Sequence, residues 1–429
     1  MKNLKAIIKG GQTPRGKIRV SGAKNAATRV LAASLISDGE VTIHNFPIGL
    51  VDAKHKINFI RESGGIVTID SESETISINA LDLSDRLLNH YDYPIRTTYL
   101  LVPGLIKRSQ KARIPYPGGC KIGNRGYDLH IMVWETLGAH VSEKEDYIEI
   151  IAENGFQSGK TIDFPISTIG GTENALICAS TIEGETIIKN AYISPEVKCL
   201  ILFLISIGVK IDVVGNSYIK VRGSRTLRGS IFKIIPDRIE ALTWIIYGIL
   251  SGGEITVQDV PFNDMEIPLI HLRESGIDIY RNETNAYISP ECLVNGVIQP
   301  FELATGTHPG IISDMQPFYV LLGLHGNGIS RVFDYRYPER VKYCEELLKM
   351  YPQMLEWKTG EIKILGKHGN IPKGSTLTST DLRGSMVVLL AALLSQNDST
   401  IDNFEMALRG YNNLVHKLSQ LGINISIDY

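Results

Sequence analysis

The segment PYPGGCKIGNRGYDLH, Pro115 to His130, places Cys120 between a Gly-Gly pair and a lysine. So glycine-rich a stretch reads as a loop, whereas a structural cysteine is normally buried in apolar surroundings. Lys121 and Arg125 lie close in sequence and favour the thiolate. Such a thiol can donate a proton or attack a ligand. Basic residues form a second theme. Lys24 and Asn25 open SGAKNAATRVLAAS, Arg96 opens RTTYLLVPGLI, Arg383 opens DLRGSMVVLLAALLS, and Arg409 sits in ALRGYNNLVHKL. A helix start already carries unsatisfied N–H groups and the positive end of the dipole, so a cation there adds repulsion unless an anion binds between them. One such arginine is an ordinary solvated cap. Several in different segments read as a clamp for an anion carrying phosphate and carboxylate. Asp314, in THPGIISDMQPFYVLLGL, is either an N-cap or a base directed at a ligand. Asp237, Arg238 and Glu240, in IIPDRIEALTWII, repeat the layout and read as a cap and an ion pair.

The elements that must position these groups are repeated. A helix tail running into glycine and then a strand appears as IRESGGIVTID, WETLGAHVSEK, LISIGVKIDVV, LRESGIDIYRN and LSQLGINISID. The aligned glycines are Gly65, Gly138, Gly208, Gly276 and Gly422, with gaps of 73, 70, 68 and then 146. The last gap is double, so a sixth copy is expected near LLKMYPQMLEW, where the glycine is lost. Glycine-led strands such as SDGEVTIHNFP, IEGETIIKNAYI and SGGEITVQDVPF alternate apolar and polar residues, as half-buried strands do. The helical runs before them are apolar nearly all round and so are buried. Six α/β units with helices inside and sheets outside follow, three to a domain, with a site in the cleft between the domains.

Bulk properties narrow the classes. The chain has 429 residues, enough for two domains, with 43% hydrophobic and 21% charged residues. A net charge of −2 argues against a general nucleic-acid or membrane-surface binder. The start, MKNLKAIIKGGQTPRGK, has no long apolar stretch or small-residue cleavage site, and the most apolar windows are too short to span a membrane, so a cytoplasmic protein is expected. Cys120, Cys178, Cys199, Cys292 and Cys344 form no C-x-x-C pair and no metal-ligand spacing. Cys178 lies in an apolar run and reads as core.

In order along the chain, SGAKNAA, PGGCKIGNR-x-x-DLH, GGTEN, PEV, IPDRIE, HPG-x-x-x-DMQ, TDLRGS and RGY resemble the signature segments of the enolpyruvyl transferases. The likeness covers essentially the whole chain and is greatest to the branch acting on UDP-N-acetylglucosamine. The resemblance implies a two-domain inside-out α/β barrel of six βαβαββ-type repeats. Residues 22–229 would carry the cysteine lid loop, about 114–126, and residues 1–21 with 230–429 would form the second domain. It implies transfer of the enolpyruvyl group of phosphoenolpyruvate to a hydroxyl of a uridine nucleotide with release of phosphate, without metal or organic cofactor. Cys120 then matches the general acid, Asp314 the group that takes the hydroxyl proton, and Lys24 the group that assists phosphate departure. Arg125, Arg383 and Arg409 match arginines that hold phosphoenolpyruvate. Asn25, Arg96, Asp128, Thr168, Gly170, Val332 and Arg336 match further substrate-binding positions. The resemblance gives no indication of nucleic-acid, membrane or oligomeric partners. Fosfomycin, the family's epoxide inhibitor, would alkylate Cys120.

The chain departs from the family pattern on the acceptor side. Thr28 and Arg29 stand in KNAATR where KNAALP is usual, and Leu50 and Val51 replace a lysine-aspartate pair. DFPISTIGGTEN carries an extra residue before Gly170, and the connection from Leu324 to Arg336 is about four residues short. UDP-N-acetylglucosamine is the first expected acceptor. UMP, as in nucleoside-antibiotic pathways, is the alternative, and a non-catalytic binding paralogue is the reading from another class. The shikimate-pathway relative shares the fold but lacks the cysteine lid.

Overall fold

The structure is a computed structural model that describes residues 4–86, 97–116 and 126–428. The chain divides into two compact units. An inserted unit spans Gly22–Gly119 and Arg125–Ile235, and a flanking unit is formed by Met1–Ser21 and Pro236–Tyr429. The strand Ser230–Lys233 runs parallel to Val41–His44, and this pairing keeps the chain in the inserted unit until Ile235, six residues past the boundary the sequence suggested.

The inserted unit contains helices α1 (Lys24–Ala33), α2 (Val51–Glu62), α3 (Val102–Ser109), α4 (Asp128–Thr136), α5 (Ile169–Ser180) and α6 (Pro195–Ser206). The flanking unit contains α7 (Arg238–Ser251), α8 (Glu266–Glu274), α9 (Gln316–Leu324), α10 (Lys342–Met350), α11 (Leu382–Leu394), α12 (Glu405–Gly410) and α13 (Leu414–Gln420). Each unit has three sheets among its described residues, five of the six sheets being four-stranded and one three-stranded. The five share a layout in which the glycine-led strand has a parallel neighbour on one side and an antiparallel one on the other. The parallel pair Thr161–Thr168 and Gly184–Ala191 encloses α5 in sequence, as a crossover requires. Arg15–Arg19 and Glu254–Gln258 form the same pair around α7, and the whole inserted unit lies within that connection.

Burial explains the layering. α11 is buried from Arg383 to Leu393, α7 from Arg238 to Ile249 and α5 from Gly171 to Ser180. The strands instead alternate, as in Lys5–Ile8 and Thr75–Asn79, with one face inward. In each unit the helices therefore lie inside and the sheets outside, and α7, α9 and α11 pack on one another. Each fully buried Leu, Ile or Val stabilises the unit by about 2 kcal/mol.

The repeat is also visible in the turns. Gly138, Gly208, Gly276 and Gly422 take positive φ after their helices, but in the first copy the left-handed residue is Gly64 rather than Gly65. In the sixth copy Gln353 adopts φ 65° in the place of the lost glycine. Among the described residues no helix is long and apolar enough to cross a membrane.

Candidate active site

Two clusters of charge form at helix starts, one in each unit. In the flanking unit α9 begins at Gln316, and no side chain caps it. Asp314 is thus not an N-cap. Its Oδ1 accepts a hydrogen bond from Arg340 Nη1 at 2.7 Å, and its Oδ2 lies 3.5 Å from Arg383 Nε. Arg340 Nη2 also donates to Asp381 Oδ1 at 2.8 Å. Asp381 in turn caps α11 by accepting from the backbone N–H groups of Arg383 and Gly384. Arg383 lies over the Tyr411 ring, 5.3 Å from its centroid, and the Tyr411 hydroxyl meets Thr243 Oγ1 at 2.8 Å. Burial opposes the charge on both guanidiniums. For Arg340 the carboxylates Asp381 and Asp314 outweigh it, and for Arg383 Tyr411, Asp314 and Asp237 do, so both stay charged. Arg340 and Arg383 are almost wholly buried, whereas the Asp314 side chain is 29% exposed. The cluster therefore presents one partly exposed carboxylate on two buried cations.

In the inserted unit Lys24 is the first residue of α1 and pairs with Asp52 at 2.8 Å, in the first turn of α2. Deeper in, Arg29 Nε donates to both oxygens of fully buried Glu173, at 3.1 and 3.0 Å. Arg29 Nη1 reaches Thr28 Oγ1 at 3.0 Å and Asn25 Oδ1 at 3.3 Å. Lys56, also buried, donates to the Thr28 carbonyl at 2.7 Å. Burial, aided by Arg29, pushes the Lys56 ammonium well below its usual range. Burial likewise raises the Glu173 carboxyl, and Arg29 opposes that rise. The cations at the starts of α1 and α11 thus meet carboxylates of the protein itself, Asp52 and Asp314.

A third group joins α4 and α5, which pack together. Thr168 caps α5 by accepting from the Gly171 N–H at 3.3 Å. At Gly170 a Cβ would stand 2.8 Å from the Tyr99 hydroxyl and 3.2 Å from His130, whose rings stack with centroids 3.5 Å apart. A side chain there would force the Tyr99 hydroxyl or the His130 ring to shift. Asp128 is exposed in the first turn of α4, two residues before His130.

The remaining candidates fall elsewhere. Cys120, Arg96 and Arg125 lie outside the described residues. Arg409 is buried in the last turn of α12 and not at a helix start, with Nη1 3.8 Å from Met406 Sδ. Arg336 is exposed, and its backbone N–H donates to Asp334 Oδ1 at 3.1 Å. Val332 lies within the sheet and its side chain is fully buried in the core. Asp237 caps α7, and Glu240 pairs with Lys417, as cap and ion pair were expected. Cys178, Cys199, Cys292 and Cys344 are all buried, and burial raises the Cys178 thiol well above its usual range. Among the described residues no cluster of three or more His, Cys, Asp or Glu could hold a metal ion. A cavity of about 390 Å³ in the flanking unit is lined by the C-terminal ends of α7 and α11 with Gln12, His325 and Asn370, and contains none of the candidates.

Sequence reading missed Arg340, Asp381, Asp52, Glu173 and Lys56. Asp381, immediately before an apolar run, carried a cap signal. Arg340, in YPERVKY, carried none, because its role depends on Asp314 and Asp381, which are distant in sequence.

Buried guanidiniums around an accessible carboxylate, on an α/β unit of three outer sheets, suit transfer chemistry on anionic substrates. The family model for EPSP synthase (3-phosphoshikimate 1-carboxyvinyltransferase) matches residues 8–418, and the chain belongs to that family. It is an enolpyruvyl transferase, an enzyme that transfers the 1-carboxyvinyl group. A relative from Bacillus cereus, UDP-N-acetylglucosamine 1-carboxyvinyltransferase 2, is 34% identical over 98% of this chain and 96% of its own length. UDP-N-acetylglucosamine 1-carboxyvinyltransferase of Koribacter versatilis is also 34% identical, over the same shares. The enolpyruvyl transferase NikO from Streptomyces tendae matches with a TM-score of 0.87 at 23% identity, covering 99% of each chain. EPSP synthase of Acinetobacter baumannii matches with a TM-score of 0.76 at 16% identity over both full chains. These two likenesses bear on the fold.

Proposed function

We propose that the chain transfers the enolpyruvyl group of phosphoenolpyruvate to a hydroxyl of a uridine nucleotide, with UDP-N-acetylglucosamine as acceptor. The observation that carries this reading is Asp314, held by Arg340 and Arg383 with one side accessible, in a chain 34% identical to enzymes named for that nucleotide. Asp314 takes the acceptor's hydroxyl proton as the oxygen bonds to the substituted enol carbon. Cys120 gives a proton to the CH2 carbon. Loss of a proton from that carbon and cleavage of its neighbour's bond to the phosphate oxygen then yield the enolpyruvyl ether and phosphate. Lys24 assists the departing phosphate, and Arg125, Arg383 and Arg409 balance the charge of phosphoenolpyruvate. Asn25, Arg96, Asp128, Thr168, Gly170 and Arg336 bind the substrates.

UMP is the second reading, favoured by Arg29, which pairs with buried Glu173 and stands beside Thr28 where the family's pattern has leucine and proline. The test is phosphate release from phosphoenolpyruvate with UDP-N-acetylglucosamine and UMP offered in parallel. Release with the sugar nucleotide supports the first reading, release with UMP alone the second, and release with neither contradicts both. Cys120→Ser should abolish turnover and Cys120→Asp retain part of it, since a buried carboxyl can be raised to act as a donor. Equal turnover by both variants and the parent would remove Cys120 from the mechanism. Fosfomycin adduct formation at Cys120, followed by mass, checks the thiol separately.

A further inference from the structure

Glu173 is fully buried and its partner Arg29 is mostly covered, yet neither belongs to the proposed chemistry. A guanidinium only donates hydrogen bonds. With Nε committed to the Glu173 carboxylate, Arg29 Nη1 is directed at oxygens, those of Thr28 and Asn25. Asn25 and Arg29 are four residues apart on α1 and so lie on one face. The Asn25 amide must turn its Oδ1 toward Arg29, which directs its Nδ2 away from the arginine. Glu173, on α5, keeps the guanidinium from swinging aside.

We propose that Arg29, clamped by Glu173, is a positioning residue that fixes the Asn25 side chain as a hydrogen-bond donor toward an oxygen of the substrate. The ligand atom it recognises is an acceptor, such as a phosphate, carboxylate or hydroxyl oxygen, and the amide cannot flip to receive a hydrogen bond instead. The inference rests on the reading that places Asn25 at the substrate.

Removing Arg29 alone strands a buried carboxylate, so the test uses the double variant Arg29→Leu/Glu173→Gln, with thermal melting to establish that it folds. kcat/KM is measured by phosphate release from phosphoenolpyruvate, with whichever of UDP-N-acetylglucosamine and UMP the parent turns over. The double variant is expected to lose about tenfold in kcat/KM, within the range of coupling between contacting residues. Asn25→Ala should lose at least as much, and adding Arg29→Leu/Glu173→Gln to it should change the value by less than about twofold. Multiplying losses would overturn the proposal, since a purely structural Arg29 acts independently of Asn25. A double variant with parental kcat/KM, alongside an impaired Asn25→Ala, would also overturn it. Parental activity in Asn25→Ala would remove Asn25 from the substrate and overturn this proposal alone, whereas a parent that turns over neither acceptor would remove the functional reading on which it rests.

Discussion

The two charge clusters solve the same electrostatic problem differently. In the inserted unit, Glu173 is fully buried and Arg29 mostly covered, and each is the other's principal partner. In the flanking unit, Arg340 is shared by two carboxylates, only one of which, Asp381, is also used as a helix cap. The first arrangement neutralises itself and organises a helix face. The second leaves Asp314 partly exposed beside two permanent cations. What distinguishes Asp314 is that its partners are buried and it is not.

Arg340→Met should destabilise the protein by about 3 kcal/mol, because Asp381 and Asp314 then lose a buried cation, and should lower kcat as well. Urea unfolding with the kinetic assay reads both, and unchanged values would deny Arg340 its bridging role. In the inserted unit, Glu173→Gln alone should cost about 3 kcal/mol by stranding Arg29, while Arg29→Leu/Glu173→Gln should recover most of that loss, because replacing a whole buried pair is far less costly than halving it. If the double variant were less stable than the single, the pair would be a net source of stability.

A smaller effect separates scaffold from cluster in the flanking unit. Burial lowers the His325 imidazole from its usual 6.5 to about 4. Between those values the unfolded chain binds a proton that the native chain does not, so this contribution is complete above about pH 6.5 and lost as pH falls toward 4. His325→Asn should flatten that limb of stability against pH and leave kcat/KM unchanged. The smallest expected effect is at Gln353, which holds a left-handed conformation unfavourable for a side chain. Gln353→Gly should raise stability by about 0.5 kcal/mol in thermal melts, and a loss would mean that the side chain contributes more than the backbone strain costs.

Much of the fold was legible because the repeat is written in local chemistry. Helix tails ending in glycine and strands alternating in polarity gave six units, and the apolar character of runs such as TENALICASTI and RGSMVVLLAALLS placed the helices inside. The shift from Gly65 to Gly64, and the use of Gln353 for a glycine, were not legible, since φ at adjacent candidates depends on how the strand docks. In the site, Lys24, Asp314 and Arg383 stood out as charges at the starts of apolar helices. Their partners did not, because Asp52, Arg340 and Glu173 are brought in by tertiary packing from other elements. The carboxylates that Lys24 and Arg383 meet, Asp52 and Asp314, were likewise not legible as their partners.

The role proposed for Asp314 is that of the carboxylate that takes the acceptor's hydroxyl proton. Its most direct test is a single-turnover experiment with Asp314→Asn, phosphoenolpyruvate and the acceptor used by the parent, following the nucleotide by mass. The variant should still bind both substrates but form the enolpyruvyl product at least about a hundredfold more slowly. Product formation at the parental rate would contradict it and leave Asp314 as a structural partner of Arg340.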